Sequence, residues 1–113
     1  MRMPVMFVGH GSPMNAIEHN EFTDEWSRIG KNYTPKAILM ISAHWFTNGT
    51  YTQDAEDPQV INDMYGFPRE LYEVNYQAKG DIYLSNKIIE YISRQVKINN
   101  NWGIDHGGWS VLN

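Results

Sequence analysis

Three of the four histidines in this chain occupy settings that suit ligand binding. His10 lies between two glycines, His44 follows a short apolar run, and His106 is followed by two glycines. Glycine lets the backbone approach a ligand closely and adopt positive φ angles. Imidazole is the commonest metal ligand among protein side chains and exchanges protons near neutral pH. The three histidines are therefore candidates for metal binding or proton transfer, although a histidine beside a glycine is more often a turn or core residue.

The placement of His10 and His44 favours a shared site. Residues 5–8 and 37–41 are short apolar runs, typical of strands buried on both faces of a parallel sheet. A run this short could also be a buried helical turn. Each histidine follows the carboxyl end of one predicted strand, and that edge is where open α/β sheets bind ligands. We therefore expect both imidazoles to meet on one rim, an arrangement that suits a metal or a substrate.

The pattern between these two strands predicts a helix and hence a βαβ unit. Residues 21–29 carry apolar side chains at helical spacing, with Asn20 as the expected cap and Gly30 as the expected stop. Residues 1–113 are expected to form a single, partial α/β domain with a mostly parallel sheet flanked by helices. Further predicted elements are a strand or hairpin at 50–53, a short helix at 69–74 beginning with Pro68, a helix from Asp81 to about 94, a strand at 96–99, and a loop from 102 with a new element starting at 110–112.

Composition excludes several classes of partner. The net charge is −4 and the nine Lys and Arg residues are scattered, so no basic patch for nucleic acid is expected. No apolar stretch is long enough to cross a membrane. The first residues lack the pattern of a secretory signal and the chain has no cysteine, so a cytoplasmic location is expected. Any metal would have to be held by imidazole and carboxylate.

Four motifs in register resemble the class III extradiol dioxygenases, specifically the branch named for 4,5-DOPA dioxygenase. They are VGHGSPMN at residues 8–15, ISAHW at 41–45, YGFPRELY at 65–72 and WGIDHGGWSVL at 102–112. The resemblance covers nearly the whole chain. It implies the amino-terminal part of a doubly wound α/β fold and the insertion of both atoms of O2 into the ring of a catechol-type aromatic molecule.

The resemblance also implies roles for particular residues. His10 and His44 match metal ligands of the family, with Fe(II) the expected metal for oxygen chemistry and Zn(II) also found in this branch. His106 matches an active-site histidine near the substrate, as a hydrogen-bond donor or a proton shuttle. Ser12 and Asn15 follow the first ligand and could orient its ring, or they could simply cap a turn.

The chain departs from the family in length, since family members are more than twice as long and carry further metal ligands. Water, a neighbouring chain or one of the carboxylates Asp105, Glu18 and Asp63 would have to complete the metal shell. A sheet with an uncovered edge is expected to pair with another copy or with a missing carboxy-terminal segment. The alternatives to an enzyme are a non-catalytic metal or small-molecule binding module and an interaction fragment.

Three tryptophans lie close to the histidine motifs in the sequence. Trp45, Trp102 and Trp109 could form the wall of an aromatic pocket. Large rings beside buried strands are more often part of the core.

Overall fold

The computed structural model describes residues 2–92 and 94–113, which form short helices and strands joined by long loops. The elements are a 3-10 helix at Pro13–Ala16, α1 at Glu21–Asn32, β1 at Thr50–Thr52, α2 at Arg69–Tyr72, α3 at Ile82–Tyr91, β2 at Val96–Ile98 and α4 at His106–Leu112. In this part of the chain no helix is both long and apolar enough to cross a bilayer.

The sheet is parallel, as the sequence predicted, and it joins β1 to β2. Thr50 pairs with Val96 and Thr52 pairs with Ile98. Parallel strands need a crossover connection, which α2 and α3 provide here. Outside these two strands, an isolated parallel bridge joins Val60 to Ile104. The α/β class and the strands near residues 50 and 96 are therefore confirmed.

Local capping explains where the two longer helices begin. The Asn20 side chain accepts hydrogen bonds from the backbone N–H groups of Phe22 and Thr23, and Thr23 returns one to the Asn20 backbone. This reciprocal arrangement is a capping box, which satisfies donors that a helix start leaves free. Asp81 likewise accepts from the backbone of Leu84 and starts α3. The predicted stop at Gly30 was wrong, because α1 continues to Asn32.

The two apolar segments predicted as buried strands are not strands in the described chain. Residues 5–8 and 37–41 take part in no sheet, and Val5, Phe7 and Ile41 are 101%, 103% and 86% exposed. An extended segment is stable as a strand only when a neighbour pairs with its backbone groups. No such neighbour lies alongside either segment within the described residues. The βαβ unit predicted from residues 5–41 was therefore wrong.

The buried core lies instead around α4 and α2. Within the described residues, the buried hydrophobic side chains are Leu71, Val96 and Trp109. Helix α4 packs against the 3-10 helix Pro13–Ala16, which begins three residues after His10. Helix α4 occupies residues 106–112, so the predicted loop from 102 ends earlier than expected and the new element begins before 110. The packing of α4 brings the first and last histidine motifs together.

Candidate metal centre

The side chains of His10, His44 and His106 converge on one point. The Nε2 atoms of His10 and His44 lie 2.8 Å apart, a separation at which one ring donates an N–H to the other. The rings of His44 and His106 have centroids 3.9 Å apart, and those of His10 and His106 are 5.1 Å apart. One nitrogen from each of the three rings lies within 4.8 Å of the others.

His10 is held by the loop that precedes the 3-10 helix. The Asn15 side chain donates to the His10 carbonyl at 2.8 Å, and the Asn20 side chain donates to Asn15 at 2.8 Å. Gly11 has a φ of 64°, a left-handed conformation that glycine adopts without strain. The Ser12 hydroxyl accepts from the backbone of Met14, so Ser12 caps the 3-10 helix while Asn15 holds the backbone of the histidine.

His44 is held by contacts with the start of α4. Its backbone N–H donates to the Ser42 hydroxyl at 3.2 Å, and that hydroxyl donates to Oδ1 of Asp105 at 2.7 Å. The ring rests on Gly107: a Cβ atom there would lie 2.8 Å from Cδ2 of His44 and 2.6 Å from Oγ of Ser42. Both distances are too short for a Cβ atom, so the observed position of the His44 ring requires glycine at residue 107.

The buried carboxylate of Asp105 organises the third motif. Its Oδ1 accepts from the backbone of Gly107 at 3.0 Å and caps α4, and its Oδ2 accepts from Nε1 of Trp102 at 2.8 Å. Asp105 is 1% exposed, whereas its hydrogen-bond partners are only partly buried. Both oxygens of Asp105 accept hydrogen bonds, and Asp105 does not belong to the group of residues that could hold a metal ion.

Asp63 contacts His106 directly, although sequence reasoning gave it no more weight than two other carboxylates. Its Oδ1 accepts from the His106 backbone at 3.0 Å and lies 2.7 Å from the ring Nδ1. Burial raises the pKa of the Asp63 carboxyl, but the hydrogen bonds from His106 outweigh it and hold that pKa below its usual value. Glu18, the third carboxylate considered, is exposed and lies outside the histidine group.

The environment of His10 favours an uncharged imidazole. Burial, together with the positive charge that His106 and His44 carry when protonated, lowers the pKa of His10 below its usual value. Its Nδ1 is buried and has no hydrogen-bond partner among the described residues. A neutral ring keeps a lone pair, which is the form that binds a metal.

The donor set fits a single metal ion of the type that imidazole prefers. Two nitrogens bound to one Zn(II) at about 2.0–2.1 Å each can be at most about 4.2 Å apart. The three nitrogens lie within 4.8 Å of one another, about 0.6 Å above that value, so a movement of this size would let one ion reach all three. His44 is exposed, so the group has an open side where water or a substrate could complete the shell.

Two of the tryptophans have structural roles in this arrangement. Trp109 is 0% exposed, and its Nε1 donates to the carbonyl of Ile61 at 2.9 Å. Trp102 binds Asp105, as described above, and Trp45 is half-buried. The core explanation therefore applies to Trp109, and Trp102 positions a carboxylate.

A parallel α/β chain with three histidines gathered around one point defines a protein that could bind a single metal ion. Residues 3–112 match the LigB family, described as the catalytic LigB subunit of aromatic ring-opening dioxygenase. The chain belongs to this family, as the four motifs predicted.

Two curated relatives, one from a bacterium and one from a plant, are similar to this chain over most of its length. The chain is 44% identical over 114 residues to 4,5-DOPA dioxygenase extradiol of Escherichia coli (strain K12), covering 98% of this chain and 42% of the relative. It is 35% identical over 114 residues to 4,5-DOPA dioxygenase extradiol of Beta vulgaris, covering 94% of this chain and 42% of the relative. The chain thus spans less than half the length of these relatives.

Proposed function

We propose that this chain carries the metal-binding histidines of a dioxygenase that opens the ring of a catechol-type aromatic molecule with O2. The observation that supports this is the convergence of His10, His44 and His106, whose nitrogens lie within 4.8 Å of one another. Membership of the LigB family supports the reaction class. The relatives are named 4,5-DOPA dioxygenase extradiol, so extradiol cleavage of a DOPA-like catechol is the first reaction to test.

In this proposal His10 and His44 hold the metal and His106 acts on protons of the substrate. Fe(II) bound there supplies the redox activity that reaction with O2 requires, whereas Zn(II) fits the same imidazoles without redox activity. The lowered pKa of His10 keeps its ring neutral and ready to bind. The hydrogen bonds of Ser42 and Asn15 hold the two ligand loops in place.

A second candidate function is a metal-binding module without catalysis. The exposed ring of His44 favours it, because water can reach the site from that side. Catalysis benefits from exclusion of water. The two functions differ in one respect that can be measured, which is turnover of a catechol by the metal-loaded protein.

The uncovered apolar segments support a further part of the proposal. Residues 5–8 and 37–41 expose Val5, Phe7 and Ile41 almost completely. Exposed apolar surface on this scale marks an interface. We propose that a polypeptide corresponding to the part of the relatives that this chain does not match covers both segments by pairing with them. A second copy of this chain is the alternative partner that could cover both apolar segments. The proposed location of the protein is the cytoplasm.

Metal content tests the site. Wild-type protein, His10→Ala, His44→Ala and the control His19→Ala are loaded with Zn(II), desalted and measured by elemental analysis. His19 is exposed and lies outside the histidine group, so its variant should retain the wild-type content. We expect the His10 and His44 variants to lose most of the metal. Unchanged content in both would rule out this metal site.

Turnover tests the reaction. The protein is loaded with Fe(II) without oxygen, alone and after co-expression with the unmatched segment of the Escherichia coli relative, and then receives DOPA and O2. A yellow ring-opened product supports the dioxygenase. Bound metal with no product in either sample favours the binding module. Size-exclusion chromatography of the co-expressed pair shows whether the segment or a second copy covers the apolar residues.

A further inference from the structure

Asp63 contacts His106 at two points with a single oxygen. Oδ1 accepts the backbone N–H of His106 at 3.0 Å and lies 2.7 Å from the ring Nδ1. Both side chains are largely removed from water, with 14% of Asp63 and 10% of His106 exposed. The backbone bond fixes the carboxylate at the start of α4, so the oxygen that reaches the ring cannot swing away independently.

The charge of Asp63 decides which ring nitrogen carries the proton. An aspartate carboxyl is ionised near neutral pH, and its Oδ1 already accepts the backbone N–H of His106, so toward the ring this oxygen can only accept. The partner atom Nδ1 must therefore donate. In a neutral imidazole with a proton on Nδ1, the other nitrogen, Nε2, carries a lone pair and no proton.

Among residues 2–92 and 94–113, Asp63 is the one group that hydrogen-bonds the ring of His106. Asp105 uses its oxygens on Gly107, Ser42 and Trp102. The Ser110 hydroxyl donates to the backbone carbonyl of His106 and leaves the ring alone. Asp63 is thus the hydrogen-bonding group that sets the orientation of the imidazole.

We propose that Asp63 is a positioning residue, which fixes His106 in the Nδ1–H form so that Nε2 enters the histidine group as a proton acceptor. The use of Nε2 rests on the proposed function, whereas the assignment of the proton does not. In that function the O–H bond of a catechol hydroxyl breaks and an N–H bond forms on Nε2. The Asp63 carboxylate stabilises the resulting imidazolium. Neutral His106 in the Nδ1–H form has no proton on Nε2 to donate into the site. Of the two roles that the resemblance implied for His106, the proposal therefore keeps proton uptake and excludes donation by the neutral ring.

Nuclear magnetic resonance reads the tautomer directly in metal-free, ¹⁵N-labelled protein. Two-bond ¹H–¹⁵N correlation spectra at pH 8, where an ordinary imidazole is neutral, distinguish the nitrogen that carries the proton. The His106 signals are assigned by their loss in His106→Gln. We expect the Nδ1–H pattern in the wild-type protein. An Nε2–H pattern overturns the proposal, and this result does not require an Asp63 variant to fold.

Substitution of Asp63 tests whether this carboxylate causes the Nδ1–H form of His106. In Asp63→Ala the ring loses its acceptor, and we expect the Nδ1–H pattern to give way to a mixture with Nε2–H. Asp63→Glu, which restores a carboxylate, should recover part of the wild-type pattern. Glu56→Ala removes an exposed acid elsewhere and should leave the pattern unchanged. An unchanged Nδ1–H pattern in Asp63→Ala overturns the role of Asp63.

The tautomer and the turnover can fail separately. An Nδ1–H pattern without any ring-opened product leaves the positioning by Asp63 intact and counts against the dioxygenase. Ring-opened product from a protein with the Nε2–H pattern supports the dioxygenase and overturns the positioning role.

Discussion

The hydroxyl of Ser42 donates to Oδ1 of Asp105 at 2.7 Å, across a sequence separation of 63 residues. Because the same hydroxyl accepts the backbone N–H of His44, this bond fastens the His44 loop to the start of α4. Asp105 also caps that helix, whose first residue is His106. One buried carboxylate therefore sets the spacing between two of the three histidines.

Removing the Ser42 hydroxyl should weaken both the fold and the site. Ser42→Ala leaves Asp105 with one fewer donor, and loss of a partner to a buried charged group costs about 1–3 kcal/mol. We expect the free energy of unfolding to fall by that amount and the affinity for Zn(II) to fall about tenfold. Urea titration and competition with a chelating dye measure the two effects.

Ser27→Ala provides the control for that experiment. Ser27 is an exposed residue of α1 and lies outside the histidine motifs. Alanine favours a helix slightly more than serine does, so stability should be unchanged or slightly higher. Equal Zn(II) affinity in Ser42→Ala and Ser27→Ala would show that the Ser42 bond does not position His44.

A methyl group at position 107 should displace His44. In Gly107→Ala the new Cβ would meet Cδ2 of His44 at 2.8 Å and Oγ of Ser42 at 2.6 Å, so the loop has to move. We expect at least a tenfold loss of Zn(II) affinity, measured by calorimetry. Gly30→Ala is the matched control, because nothing lies within 4 Å of a Cβ there. In a helix that change stabilises by up to about 1 kcal/mol.

Wild-type Zn(II) affinity in Gly107→Ala, together with unchanged stability, would contradict a role for Gly107 in positioning His44. Such an outcome would mean that the His44 loop can shift without cost, and that the short distances to Gly107 do not define the site.

The elements that the sequence predicted well are those set by local chemistry. Asn20 and Asp81 cap their helices through bonds to residues only two or three positions away, so the pattern is visible in a short window. The strand predictions at 5–8 and 37–41 failed because a strand depends on a distant partner. The new element predicted from 110 begins earlier, as α4 at His106, because the Asp105 cap and burial of Trp109 override the low helix propensity of Gly107 and Gly108.

The site was predicted in part, and for a reason that proved incomplete. His10 and His44 do meet, yet not at the tips of two strands, because those strands are absent from the described chain. The contacts that bring them together run through Asn15, Ser42 and Gly107. Asp63 gave no local signal, since 43 residues separate it from His106. The roles of the histidines as ligands stay predictions.

Acid should destabilise the wild-type protein partly through Asp63. The pKa of this carboxyl is lower in the folded protein than its ordinary value of about 3.9, so folding favours the charged form. That stability is present above the ordinary value and is lost as the pH falls through the folded value. Asp63→Asn should therefore be less stable at pH 7, with the difference shrinking below about pH 5.

Urea unfolding at pH 7, 5, 4 and 3 measures this dependence for both proteins. Two stability curves that stay parallel over the whole range would show that the Asp63 carboxylate has the same pKa folded and unfolded.

The position of the core predicts how two leucines differ. Leu71 in α2 is 0% exposed, so Leu71→Ala should lower the free energy of unfolding by about 2–5 kcal/mol. Leu39 lies in the uncovered segment at 37–41 and is 58% exposed. Leu39→Ala should change stability by about 0.5 kcal/mol or less when this chain is studied alone. Urea unfolding followed by tryptophan fluorescence measures both, since the core contains Trp109.

The same pair of variants shows whether another polypeptide covers the apolar segments. If the unmatched segment of the Escherichia coli relative binds there, Leu39→Ala should weaken that complex, while an exposed polar change such as Ser27→Ala should not. A loss of several kcal/mol from Leu39→Ala in the isolated chain would instead mean that residues 37–41 are already buried in solution. In that case the two apolar segments pair within the chain itself or between two copies of it, and dilution separates these two cases because only pairing between copies weakens as the protein concentration falls.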